Sequence, residues 1–223
     1  MNAIRLTALS FALLAGISGV ISGIGLIQQG QSAPETHWVS FIGLSYANYN
    51  DPAYSVFTVI PSFYWTGILA LITSLVSTFW AIKFIHIKAG PSVMLVLIIL
   101  QALVGGGWVL DLGIATSILA RGINSTLDWW IKCIPVQWQH RLARVWPWSL
   151  SFYWILSALL LLFTLMGVND TTVLEYVTCI AGLMIIPIPV MILGAISREI
   201  LNLDVKKSHL NHFTGLQPRI TDG

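Results

Sequence analysis

Charge is what this sequence has least of. Asp, Glu, Lys and Arg make up 9% of its 223 residues, whereas 56% are hydrophobic. Soluble domains carry roughly a quarter charged residues, and a soluble core of this chain length cannot hide so much apolar surface. The shortage excludes an ordinary soluble protein and makes a lipid bilayer the expected solvent. Cysteine is scarce as well. Cys133 and Cys179 stand far apart with no CxxC spacing, which excludes a disulfide framework and a thioredoxin-like redox motif. Cys179 reads as a small packing residue and Cys133 as an ordinary free thiol. The net charge of +2 is too small to call for nucleic acid. No glycine-rich phosphate loop, GxSxG or HExxH occurs. His209 and His212 form an HxxH without a nearby carboxylate or cysteine and read as solvated, so neither a metal nor a cofactor is expected.

The most informative absence is positional. The eleven Lys and Arg residues fall at 5, 83, 88, 121, 132, 141, 144, 198, 206, 207 and 219. None lies between Leu6 and Ile82, and none between Val145 and Ser197. Five apolar stretches reach the roughly twenty residues that a membrane-spanning helix needs: Leu6–Leu26, Phe57–Ile82, Pro91–Ala120, Trp148–Val168 and Val173–Ser197. The first reads as a retained anchor helix, because it is longer than a signal-peptide core and Pro34 disfavours cleavage after Ala33. Five single spans divide the basic residues three to eight between the two sides. A chain that instead reverses at Gly105, Gly106 and Gly107 keeps all eleven on one side, as the cytoplasmic bias of Lys and Arg favours.

The expected fold is therefore an all-α polytopic bundle of four full spans plus a glycine-turned re-entrant helical hairpin, with five single spans as the alternative. Residues 1–200 form one transmembrane domain. It carries an outer aromatic-rich loop at 27–56 and a cytoplasmic interfacial segment at 122–147. Residues 201–223 follow as a polar cytoplasmic tail. Both termini are expected in the cytoplasm and the membrane to be the plasma membrane. The hairpin arms, Ser92–Val104 and Trp108–Ala120, are each roughly 20 Å long at 1.5 Å per residue. That is short of the roughly 30 Å hydrocarbon core, so the turn is expected at depth, enclosed by protein or facing water.

Polar residues within these stretches are the candidate sites. Asp111 follows the glycines at the start of the second arm, where a helix N-terminus favours a carboxylate. An ionisable group at membrane depth suggests function, against the plainer reading of a helix cap. With Gln101, Gly105, Gly106, Gly107 and Trp108 it forms the candidate ligand-binding set. Glu35, Asp51 and Glu175 would join Asp111 around an aromatic-walled vestibule suited to a cation. Ala15, Gly19 and Gly23 recur every fourth residue, a pattern that lets helices approach closely. Their partner is another helix of the chain, or a second protomer or partner subunit. Thr66, Thr73, Ser74, Ser77 and Thr78 are expected to bond within their own helix or to a neighbour.

From Asn124 to Trp148, five tryptophans alternate with Lys132, Arg141 and Arg144. That mixture fits a segment in the headgroup layer, broken at Pro135 and drawn to membrane lipids. Pro187 and Pro189 should kink or locally open the last helix. The functional expectation is a non-enzymatic ligand-binding protein or an accessory or assembly subunit. A dimeric transporter and a membrane enzyme acting on a lipid-soluble substrate are the alternatives. The enzyme reading suffers from the few acid–base groups at depth.

Overall fold

The computed structural model describes residues 2–34, 37–40, 55–106, 110–123, 127–165, 182 and 184–214. Within them the chain is almost entirely helical, with α1 Ala3–Gln28, α2 Phe63–Phe84, α3 Gly90–Leu103, α4 Leu110–Ile123, α5 Asp128–Cys133, α6 Val136–Leu165 and α7 Pro187–Thr214. The exceptions are two short antiparallel strands, β1 Trp38–Ser40 and β2 Ser55–Phe57, with Val39 opposite Val56. Among the described residues three helices are long and apolar enough to cross a membrane: α1, α2, and α6 over Val136–Leu162.

Local chemistry sets the helix ends. The Asn2 side chain accepts a hydrogen bond from the Ile4 N–H at 2.9 Å and so caps the start of α1. Just past its end, Gly30 adopts φ +81° and donates to the Ile27 carbonyl at 3.1 Å, which stops the helix. Pro91 sits in the first turn of α3, where a missing donor costs nothing. Pro187 and Pro189 likewise occupy the first turn of α7. Residues 184–186 just before them are turns rather than helix, so the helix opens locally at these prolines, as expected. Beyond Arg198 that helix continues to Thr214, so the start of the polar tail is helical.

Helix α1 is the axis of the bundle. It packs on α2 along one side and on α4 and α7 along another, while α3 bridges α2 and α4, and α6 lies against α7. The α1–α2 pair is antiparallel and close. A side chain at Gly16 would strike Thr78, one at Gly19 would strike Ser74, and one at Gly23 would meet the Gly67 carbonyl. The Ala15–Gly19–Gly23 stripe is thus covered by a helix of the same chain, and a second protomer would have to use another face. Large side chains fill the rest of the core, among them Phe11, Met94, Ile98, Leu119, Met191 and Ile196, all essentially inaccessible. Two contacts tie α6 to α1: Trp146 Nε1 donates to Thr7 Oγ1 at 2.8 Å, and the Tyr153 ring meets the edge of Phe11 at 5.8 Å.

Heights along α1 order the remaining elements. Gly122, at the end of α4, faces Ile4, and Thr116 Oγ1 lies 3.5 Å from the Ala8 carbonyl. Trp146 bonds to Thr7, and the Arg198 guanidinium sits 5.0 Å over the Trp146 ring. Arg5, Arg121, Arg144 and Arg198 therefore cluster at the end of the bundle that holds the start of α1. The glycine turn lies at the other end, where Gly105 abuts Leu26 and Thr66. The chain breaks after α5 at Pro135, as foreseen, but residues 136–147 form the first turns of α6, continuous with its apolar part. The lost donor at Pro147 does not end the helix.

Candidate functional site around the glycine turn

Gln101 belongs to the last turn of α3 and has no exposed surface. Its Nε2 donates to Ser74 Oγ at 2.9 Å and to the Ala15 carbonyl at 3.3 Å, while Ser77 Oγ donates to its Oε1 at 2.9 Å. One amide therefore pins α3 to both α1 and α2. The serines reach it because Thr66, Ala70, Ser74, Ser77 and Ala81 form the buried stripe of α2. Ser74 Oγ and Ser77 Oγ also lie 2.6 and 3.0 Å from the carbonyls of Ala70 and Ser74. Both amide hydrogens of Gln101 are in use, so this side chain has a structural task and offers a ligand little.

After Gln101 the helix unwinds. Its carbonyl accepts from Gly106 N–H at 2.8 Å, and Gly105 takes φ +79°. A β-carbon at Gly105 would lie 2.8 Å from Thr66 Cγ2 and 2.9 Å from Leu26 Cδ1. Both conformation and space thus require glycine here. The segment just after β2 closes over this turn. Val59 N–H donates to the Leu103 carbonyl at 3.2 Å, and Thr58 and Val104 form a β-bridge. Thr58 in turn contacts Thr66, with 3.0 Å between hydroxyls, while Thr58 N–H donates to the His37 carbonyl at 2.8 Å. Leu26, Val56 and Phe63 form a small apolar cluster beside it. The described part of the turn, Val104 to Gly106, is enclosed, and it lies at the Leu26 end of α1 rather than half-way along the bundle.

Asp111 lies elsewhere. It stands in the first turn of α4, is exposed, and is an electrostatic neighbour of Tyr153 on α6. Gln101 is turned toward α1 and α2, whereas Asp111 is next to the α6 side. Gly105 and Gly106 are joined to Gln101. Gly107 and Trp108 fall outside the described residues, as do the proposed vestibule members Glu35, Asp51 and Glu175. Among the described residues no three His, Cys, Asp or Glu side chains gather closely enough to hold a metal. Ser74, Ser77 and Tyr153 were not singled out as site residues. The two serines carried a signal, a polar stripe at helical spacing opposite the small residues of α1. Tyr153 carried none, because one tyrosine in an apolar run is ordinary.

No protein-family model, curated protein or solved structure matches this chain. Function has to be read from the arrangement alone.

Proposed function

We propose that the protein is a multi-pass membrane protein with four full crossings and an α3–α4 helical hairpin that returns to the side it came from, its turn reaching the far boundary of the bilayer, and that it binds a small organic cation at Asp111. The clustering of Arg5, Arg121, Arg144 and Arg198 at one end of the bundle supports the topology, since cytoplasmic loops concentrate Lys and Arg. From Thr7, level with Trp146, to Leu26, beside the glycine turn, α1 rises about 30 Å at 1.5 Å per residue, which matches a hydrocarbon core. The fourth crossing is assigned to Val173–Ser197, whose first half is outside the described residues. Broad apolar faces agree with lipid contact: Trp65, Leu75 and Phe79 on α2, and Phe152, Ile155 and Leu162 on α6, are each more than half exposed.

One observation carries the binding reading. On this topology, Asp111 is an exposed carboxylate on the first turn of a helix that starts inside the hydrocarbon. Its neighbour Tyr153 packs on Phe11, only about 6 Å along α1 from Thr7 at 1.5 Å per residue. A carboxylate at that depth is costly unless it has a counter-charge. A broken helix opening at depth is a recurrent way of presenting groups to a ligand.

Two measurements test this reading. Single cysteines replacing Arg121 and Arg144 should both react with an impermeant maleimide from the cytoplasmic side of oriented vesicles. Reaction from opposite sides would end the hairpin topology. Purified protein should bind the tetraphenylphosphonium cation in equilibrium dialysis, and Asp111→Asn should weaken that binding at least about tenfold, or 1.4 kcal/mol. Asp111 is exposed, so its replacement should leave the bundle intact, and unchanged affinity in the variant would refute the site.

A further inference from the structure

We infer that the α6 face bearing Arg141, Arg144 and Trp148 is a docking surface for anionic phospholipid headgroups. The proposal rests on the membrane topology above but not on the Asp111 site. Along α6, the strongly exposed apolar residues Trp148, Phe152, Ile155, Leu159 and Leu162 follow spacings of four, three, four and three, which keep them on one helix face. Trp148, the most exposed of them at 78%, lies near the end of that stripe, with Val145, 48% exposed, beyond it on this side. One and two turns earlier, and on the same face by the same periodicity, come the exposed Arg144 and Arg141. An indole at the edge of an apolar stripe marks the hydrocarbon boundary, so the two guanidinium groups fall at the level of the lipid phosphates.

The surroundings favour an anion there. Arg141 lies 5.7 Å over the exposed Trp138 ring, which holds its side chain against the helix. Among the described residues no carboxylate is paired with either arginine. Residues three apart on a helix are neighbours, so both forks can reach one phosphodiester, whose oxygens suit guanidinium geometry. Arg198, over the Trp146 ring on the α7 side, adds positive potential at the same height.

The test uses the full chain in phosphatidylcholine vesicles containing trace spin-labelled phosphatidylglycerol or spin-labelled phosphatidylcholine. Electron paramagnetic resonance then reads the motionally restricted fraction of each lipid. The expected result is a preference for phosphatidylglycerol of roughly fivefold per arginine at low salt, shrinking as salt rises. Arg141→Gln with Arg144→Gln should bring the preference close to one, whereas Arg141→Lys with Arg144→Lys should retain most of it. If the double glutamine variant does not assemble, each single glutamine variant should lose part of the preference. Equal association of both lipids with the unaltered protein would overturn the proposal, as would an undiminished preference in the glutamine variants. Displacement by inorganic phosphate beyond that caused by chloride of equal ionic strength would identify a free-anion site and also overturn it.

Discussion

Gly19→Leu should prevent α1 from seating on α2 and α3, with a cost of about 3 kcal/mol or more. The first added carbon alone collides with Ser74 Oγ and Gln101 Nε2. These groups belong to two different helices, so relieving the clash means moving both. Gln101→Leu makes the informative contrast. It removes three interhelical hydrogen bonds but leaves Ser74 and Ser77 within reach of backbone carbonyls of their own helix. At about 0.6 kcal/mol for each interhelical bond in a membrane protein, the loss should be near 2 kcal/mol. Thermal unfolding in detergent, followed by size-exclusion chromatography, should rank Gly19→Leu well below Gln101→Leu, which should itself fall below the unaltered protein. The reverse order would mean that the amide staple, rather than the close backbone approach, holds the helices together.

Gly105→Ala should cost about 3 kcal/mol, combining left-handed backbone strain of 1–2 kcal/mol with overpacking of at least 1 kcal/mol. Gly30→Ala supplies the internal control. Gly30 has nearly the same φ, +81° against +79°, but nothing lies within 4 Å of its would-be β-carbon. It should therefore cost only the strain, about 1–2 kcal/mol. The difference between the two variants measures how tightly the turn is clamped among Thr66, Leu26 and Val56. Equal losses would show that the turn is loosely seated. Gly105→Ala should also free the outer loop, because Thr58 and Val59 dock onto residues 103 and 104. Limited proteolysis near Val59 should then be faster.

Much of this architecture was legible before any coordinates. Apolar length located three helices that can span a membrane, because burial in lipid demands uniform hydrophobicity over a fixed distance. The break between α3 and α4 was signalled by three consecutive glycines, and the close α1–α2 approach by Ala15, Gly19 and Gly23. The role of Gln101 was not legible. A lone polar residue in an apolar stretch reads equally as a ligand group or a staple, and only Ser74, Ser77 and the Ala15 carbonyl decide between them. The helical start of α6 was hidden as well. Its tryptophans and arginines satisfy an in-plane segment and an upright helix crossing the headgroups equally well.

The enclosed position of Gln101 bears on the order of biogenesis. A hairpin with arms of 14 residues each, carrying an amide and a carboxylate, has little tendency to stay in lipid by itself. The preceding part of the chain is synthesised first, and in it α1 and α2 present Ser74, Ser77 and the Ala15 carbonyl as a ready polar notch. On the proposed topology the hairpin enters the bilayer as a guest of that finished pair. A ribosome-bound chain ending shortly after Arg121 should accordingly lose insertion of α3 when Ser74 and Ser77 are both replaced by valine.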